Sequence, residues 1–175
     1  MSFKRKIKIG GREYLIKELS AEDGDSLQKL CERCVDYYEI VEGRLPPKSA
    51  GYEILNDLPP NKEMKDKFVL GAYDNSNLIA VIDIIRDYKK EKEWTIGLMM
   101  IDPFFRGKGL GFKLHNFLIE WVSDYQVESF RIGVVDENGN ALNIWQRLGY
   151  QEIDRVTMKL GNKDKVVIVM KYNIM

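Results

Sequence analysis

Between Met99 and Gly111 the chain reads Met99-Met100-Ile101-Asp102-Pro103-Phe104-Phe105-Arg106-Gly107-Lys108-Gly109-Leu110-Gly111. Three glycines at alternate positions, 107, 109 and 111, let a backbone approach a ligand closely and turn several N–H groups inward. A helix opening at Gly109 adds partial positive charge at its N-terminus, so the turn suits a diphosphate. Arg106 and Lys108 bring charge-assisted contacts to the same phosphates. The same turn also serves as a tight strand-to-helix connection that binds nothing. Other phosphate loops fit worse. There is no G-x-x-x-x-G-K-[ST], no H-R-D or D-F-G, and Phe112 stands where a dinucleotide fingerprint needs its last glycine.

Two further chemistries meet competing structural explanations. Cys31 and Cys34 spell C-x-x-C, the spacing of redox and zinc sites. Both also lie on an apolar stripe of helical period, with Leu27, Leu30, Val35 and Tyr38, and no further metal ligands stand nearby. A buried, inert pair is the expectation, and no metal is assigned. His115 is the only histidine and sits beside the apolar face of a helix, away from its N-terminus, a place that argues against catalysis.

The elements that position these residues follow from periodicity and turn chemistry. Lys6 to Ile9 and Glu13 to Lys17 read as a hairpin across Gly10-Gly11. Ser20 with Asp23 caps a helix from Ala21 to Tyr38. Between Val41 and Lys67 the pattern weakens, with a short helix around Ser49 to Asn56. Strands follow at Phe68 to Tyr73, Leu78 to Arg86 and Trp94 to Ile101, with Lys89 to Glu93 as a solvated turn. A helix from Gly109, a strand from Phe130 to Val135 and a helix from Asn138 to Leu148 come next. Tyr150 to Met158 and Val166 to Tyr172 form a closing hairpin across Gly161-Asn162. This order predicts an α+β (α/β) domain spanning 1–175, with a single mixed, mostly antiparallel twisted sheet of about seven strands and helices on both faces.

Composition narrows the partners. The 175 residues carry 27 basic and 27 acidic side chains with no long like-charged block, which argues against nucleic acid. No apolar run approaches the length of a membrane span or signal peptide, so a cytoplasmic protein without a membrane partner is the expectation.

Arg106-Gly107-Lys108-Gly109-Leu110-Gly111 resembles the [QR]-x-x-G-x-[GA] loop of the GCN5-related N-acetyltransferases, and Met99-x-Ile101-x-Pro103 resembles the end of that family's central strand. Asn138-Gly139-Asn140-Ala141 through Ile144-Trp145-Gln146-Arg147-Leu148-Gly149-Tyr150 resembles its N-x-x-A-x-x-L-Y-x-K-x-G-F segment. The resemblance runs from about Tyr14 to the end, leaving the N-terminal hairpin and 41–67 outside. It implies that acetyl-coenzyme A is the co-substrate, lying in a V-shaped opening between the strand ending at Ile101 and the strand Phe130 to Val135. The pantetheine arm would pair with backbone of Met99, Met100 and Ile101, and the Ile101 N–H would face the thioester oxygen. Leu110 and Ala141 join the cofactor set; Asn138 is a cofactor contact, a helix cap, or both.

The match breaks where protons move. Thr95 stands where many relatives carry a glutamate base, and Trp145 stands where they carry a tyrosine acid; neither side chain releases or accepts a proton at neutral pH. Trp145 is expected to pack near the sulfur. Asp83 interrupts an otherwise apolar strand and is the first candidate for the missing base, with pairing to an arginine such as Arg86 or Arg44, or capping of a neighbouring backbone group, as the structural alternative. Glu93, two residues before Thr95, is the second. Tyr37, Tyr38 and Tyr52 lie in or beside the 41–67 stretch expected to shape the acceptor pocket, and the residues do not choose among them. The sequence thus points to an N-acetyltransferase acting on a primary amine of a small molecule or peptide, possible as a homodimer. The alternative is a non-catalytic coenzyme A binding or sensor module.

Overall fold

A computed structural model describes residues 3–174. Strands β1 (Lys4–Ile9) and β2 (Arg12–Glu18) form the expected hairpin, with Gly10 and Gly11 both in the left-handed region that the tight turn requires. The Ser20 N–H donates to the Asp23 carboxylate at 2.9 Å and starts a short 3₁₀ turn, Ala21–Asp23. The single helix expected from Ala21 to Tyr38 is instead two, α1 (Gly24–Arg33) and α2 (Val35–Glu42). At Cys34 the backbone N–H is shared between the Leu30 and Cys31 carbonyls at 3.2 and 3.0 Å, which tightens the last turn of α1. The neighbouring Arg33 is held by Asp102 at 2.5 Å and by the Leu78 carbonyl at 2.7 Å, so contacts with distant strands override the helical period.

The short helix near 50 is α3 (Ala50–Asn56), and it packs on α1 so closely that Gly51 admits no side chain against the Gln28 backbone. Gln28 ties the two together, accepting from Gly51 N–H and donating to the Pro47 carbonyl, each at 2.9 Å. The remaining elements are β3 (Lys67–Asp74), β4 (Asn77–Lys90), β5 (Glu93–Ile101), α4 (Leu110–Val122), β6 (Ser129–Val135), α5 (Gly139–Arg147), β7 (Gln151–Leu160) and β8 (Lys163–Asn173). The charged run at 89–93 belongs mostly to strands: β4 continues to Lys90 and only Glu91-Lys92 turn.

Among the described residues, eight strands form one sheet in the order β1-β2-β3-β4-β5-β6-β8-β7, one more than expected. Only β5 and β6 run parallel, because α4 carries the chain over the sheet between them. One face packs Trp94 and Phe130 in a core with Leu114 and Leu118 of α4; the other packs Val81 with Leu27, Leu30 and Cys31 of α1 and with Cys34. Both cysteines are free thiols wholly out of solvent, as the apolar stripe implied. Among the described residues, no helix is long and apolar enough to cross a membrane.

Candidate active site

The site begins with a fault in β5. Asp83 of β4 lies opposite Leu98 and Ile84 opposite Ile96, which leaves Gly97 bulged out of the pairing. The extra residue reverses the strand's alternation. Trp94 and Ile96 face the α4 core, whereas Leu98 and Met100 face the α1–α3 core. At the same point β6 departs: its pairing with β5 ends at Ile96–Ile132, and beyond it the two parallel strands diverge. The Asp102 N–H donates to the Ile79 carbonyl of β4 at 2.8 Å, so by strand alternation the Met99 and Ile101 N–H groups point out of the opposite, unpaired edge.

Beyond β5 the glycine loop turns back over this edge. Gly107 and Gly109 have φ of +71° and +83°, and an added Cβ at either would meet nothing within 4 Å. Glycine is therefore demanded by the backbone there, while the space above stays free for a ligand. No side chain caps the first turn of α4, so its N–H groups remain available. Gly111 lies in that turn, where a Cβ would come 3.4 Å from the Ile101 side chain.

A cavity of about 840 Å³ runs along this edge, lined by Met99, Met100, Ile101, Arg106, Gly107, Gly109, Leu110, Gly111, Asn138, Ala141 and Trp145. A second cavity of about 430 Å³ lies beside it, and the two share Tyr37, Met99, Asn138, Ala141 and Trp145. Free glycine backbone, uncapped helix N–H groups, an unpaired strand edge and a long cavity together fit a diphosphate carrying an extended arm.

Several side chains lie elsewhere than the sequence suggested. Lys108 does not line the cavity; its ammonium sits 4.2 Å from the Phe104 ring centroid. Arg106 lines it but is already committed. Its Nε donates to the Ile101 carbonyl at 2.8 Å, and its two terminal nitrogens bind Asp36 of α2, a carboxylate held below its usual range by that contact. Arg106 thus fastens α2 to the end of β5. Asn138 caps α5, accepting from Ala141 N–H at 3.2 Å, while also lining both cavities. Trp145 is 9% exposed and packs edge-on against Tyr150 at 4.9 Å.

Neither proposed carboxylate base lines either cavity. Asp83 is paired, as its apolar setting implied, but with the buried Lys67 at 2.7 Å and not with Arg86 or Arg44, which bind Asp87 and Glu42. Burial pushes the Asp83 carboxyl above its ordinary pKa while Lys67 pulls it back. Glu93 sits at the far end of β5, bound to Lys171 at 3.0 Å with Arg131 3.8 Å away. His115 is enclosed by aromatic rings and paired with the Tyr150 hydroxyl at 3.0 Å; burial lowers its pKa to about 4.

Of the three tyrosines only Tyr37 lies where the cavities meet; Tyr38 belongs to the core and Tyr52 is 45% exposed. Burial raises the Tyr37 pKa well above that of a free phenol. A sequence signal existed: Tyr38 falls on the apolar stripe of its helix and Tyr37 does not. The smaller cavity owes little to 41–67, from which only Val41 reaches it. Its outer wall is instead the β7–β8 hairpin, with Val156, Met158 and Leu160. Lys165 anchors that hairpin to the end of α2, donating to the Ile40 carbonyl at 2.8 Å.

Known proteins share this fold. Residues 29–150 match the model of the acetyltransferase (GNAT) family. An uncharacterized N-acetyltransferase of Bacillus subtilis, YobR, is 25% identical over 122 residues, covering 68% of this chain and 45% of that protein. The chain therefore spans less than half the length of that curated relative. Among solved structures, an acetyltransferase from Thermus thermophilus superposes with a TM-score of 0.74 at 15% identity, covering 97% of this chain and 99% of the other. The ribosomal-protein-S18-alanine N-acetyltransferase of Escherichia coli gives 0.68 at 16%, covering 92% and 94%. With the family match taking in the bulged strand, the glycine loop and the Asn138 helix together, the chain belongs to the acetyltransferase (GNAT) family.

Proposed function

We propose that this protein transfers the acetyl group of acetyl-coenzyme A to a primary amine of a small molecule or peptide by direct attack. The observation that carries this reading is the meeting of the two cavities at Met99, beneath an unpaired strand edge. The larger holds the co-substrate: Gly107, Gly109 and the first turn of α4 receive the diphosphate, and the free edge of β5 pairs with the pantetheine arm. The smaller admits the amine. Ile101 lines only the larger cavity, so the N–H at the junction, that of Met99, takes the role of oxyanion donor.

The amine nitrogen attacks the thioester carbonyl, the carbon–sulfur bond breaks, and sulfur leaves with the electron pair. Tyr37, whose phenol carries its proton at neutral pH, donates it to that sulfur and regains one from solvent. With Asp83 and Glu93 held in ion pairs outside the cavities, the amine loses its own proton to water. Trp145 packs against the arm near the sulfur. The ribosomal-protein acetyltransferase among the structural relatives supports a peptide amine as readily as a small one. A soluble cytoplasmic setting suits this co-substrate.

The absence of a carboxylate or imidazole from the junction favours one other reading, a module that binds coenzyme A without turning it over. Thiol release from acetyl-coenzyme A across a panel of amines and short peptides separates the two. Acetylated product on any acceptor supports transfer; tight coenzyme A binding with no release on the whole panel overturns it.

A further inference from the structure

The smaller cavity is apolar along its length, walled by Leu98, Val134, Val156, Met158, Leu160 and Val169, and polar at the end remote from the junction. That end holds Lys89, Arg131 and Thr95, and no residue lining the cavity is acidic. The polar groups there are incompletely matched within the protein. The Thr95 hydroxyl is shut from solvent and finds no hydrogen-bond partner among the described residues. Arg131, opposite Thr95 across the β5–β6 ladder, has its nearest carboxylate, Glu93, 3.8 Å away, beyond hydrogen-bond reach. Glu93 is itself matched by Lys171 at 3.0 Å. The Lys89 ammonium rests 4.3 Å from the Tyr88 ring centroid, with no carboxylate within 4 Å among the described residues.

Buried hydroxyls are rarely left without a partner, and a guanidinium offers a planar fork that matches a carboxylate. Resting on the acetyl-transfer reading, the geometry points to an acceptor whose amine is joined through an apolar body to a carboxylate, the carboxylate being held by Arg131, Lys89 and the Thr95 hydroxyl. Glu93 already offsets Lys171 and Lys89 is exposed to solvent, so a single negative charge matches the half-buried Arg131. From Thr95 to Met99 the strand runs on the order of 13 Å at about 3.3 Å per residue. The carboxylate therefore sits several bonds from the amine and not on the carbon that bears it.

Thiol release by the full chain is measured with ε-aminocaproate and with ε-aminocaproamide, acceptors of equal length that differ in charge. The carboxylate is preferred in kcat/KM by roughly ten- to hundredfold, the range of one or two charge-assisted hydrogen bonds. Lys89→Met and Arg131→Gln each cut that preference severalfold, and together they bring it close to one. Lys89 is exposed, so its variant still reads the effect if Arg131→Gln fails to fold. Equal rates on the two acceptors, or a preference that survives in Lys89→Met, overturn the assignment and leave acetyl transfer standing. No release with any amine, while coenzyme A still binds, overturns both.

Discussion

Tyr37 and Trp145 face the same junction with unequal chemistry. An indole donates a hydrogen bond but keeps its proton, so of the two only Tyr37 can protonate a leaving thiolate. Tyr37→Phe should lower kcat by about a hundred- to a thousandfold, the lower part of the range for general acids, and leave coenzyme A affinity within about twofold. Stopped-turnover rates and equilibrium binding measured side by side check it, and an equal loss in both would make Tyr37 a packing residue. Asp83 lies on the structural side of the same distinction. Its partner Lys67 has a side chain 1% exposed, so Asp83→Asn strands a charge in the core and should cost about 3–5 kcal/mol in a denaturant titration. Replacing both residues, Asp83→Asn with Lys67→Met, should recover most of that stability. If the double variant is no more stable than the single, the burial argument is wrong.

Two elements, the glycine loop and the β7–β8 hairpin, shape the site, and each contains a glycine that a side chain would disturb for a different reason. At Gly109 the backbone is left-handed but the space is open. Gly109→Ala should therefore fold at a cost of about 1–2 kcal/mol, whereas Gly109→Asp should also abolish coenzyme A binding, because its carboxylate opposes the diphosphate. Calorimetric titration of both variants tests this, and unchanged affinity in a folded Gly109→Asp would remove the loop from the site. At Gly161 a Cβ would run into the Glu42 carbonyl at the end of α2. Gly161→Ala should push the hairpin tip outward and loosen the wall of the smaller cavity, which the proposed function assigns to the amine. The expected signature is a raised KM for the amine with an unchanged KM for acetyl-coenzyme A.

For the whole molecule, the acid limb of stability reports on His115. The folded protein holds this imidazole neutral down to about pH 4, against 6.5 for an unhindered histidine. Between those values the unfolded chain takes up a proton that the folded one refuses, so stability falls as pH drops through the window and levels off below it. Well above pH 6.5 the group is neutral in both states and contributes nothing. The loss reaches up to about 3 kcal/mol at 1.36 kcal/mol per pH unit, and His115→Phe, which fits the aromatic surroundings, should flatten it. Unfolding followed by denaturant at pH 7 and pH 4.5 in both proteins measures the difference.

Local chemistry was enough to write most of the architecture. Alternating and helical periods located the strands and helices, Gly10-Gly11 and Gly161-Asn162 marked two hairpins, and the glycine run announced a phosphate-sized turn. Those signals are short-range, because φ preferences and side-chain periodicity are set within a few residues. What depends on contacts between distant segments was not legible. Cys34 breaks a helix whose period continues through it, since Arg33 is pulled to Asp102 and Leu78. Asp83 is plainly an acid in need of a partner, yet only the β3–β4 pairing shows that the partner is Lys67. Gly97 looks like any strand glycine until β4 and β5 are laid in register and it falls out of the ladder. That Tyr37 and not Tyr38 or Tyr52 meets both cavities, and that the β7–β8 hairpin walls the smaller one, depend on how helices and strands far apart in sequence come to rest on one another. The sequence by itself determined where a left-handed glycine turn opens α4, because φ preferences are local; the tertiary structure decided which side chains stand around the cavity beside that turn, because they come from segments far apart in the chain.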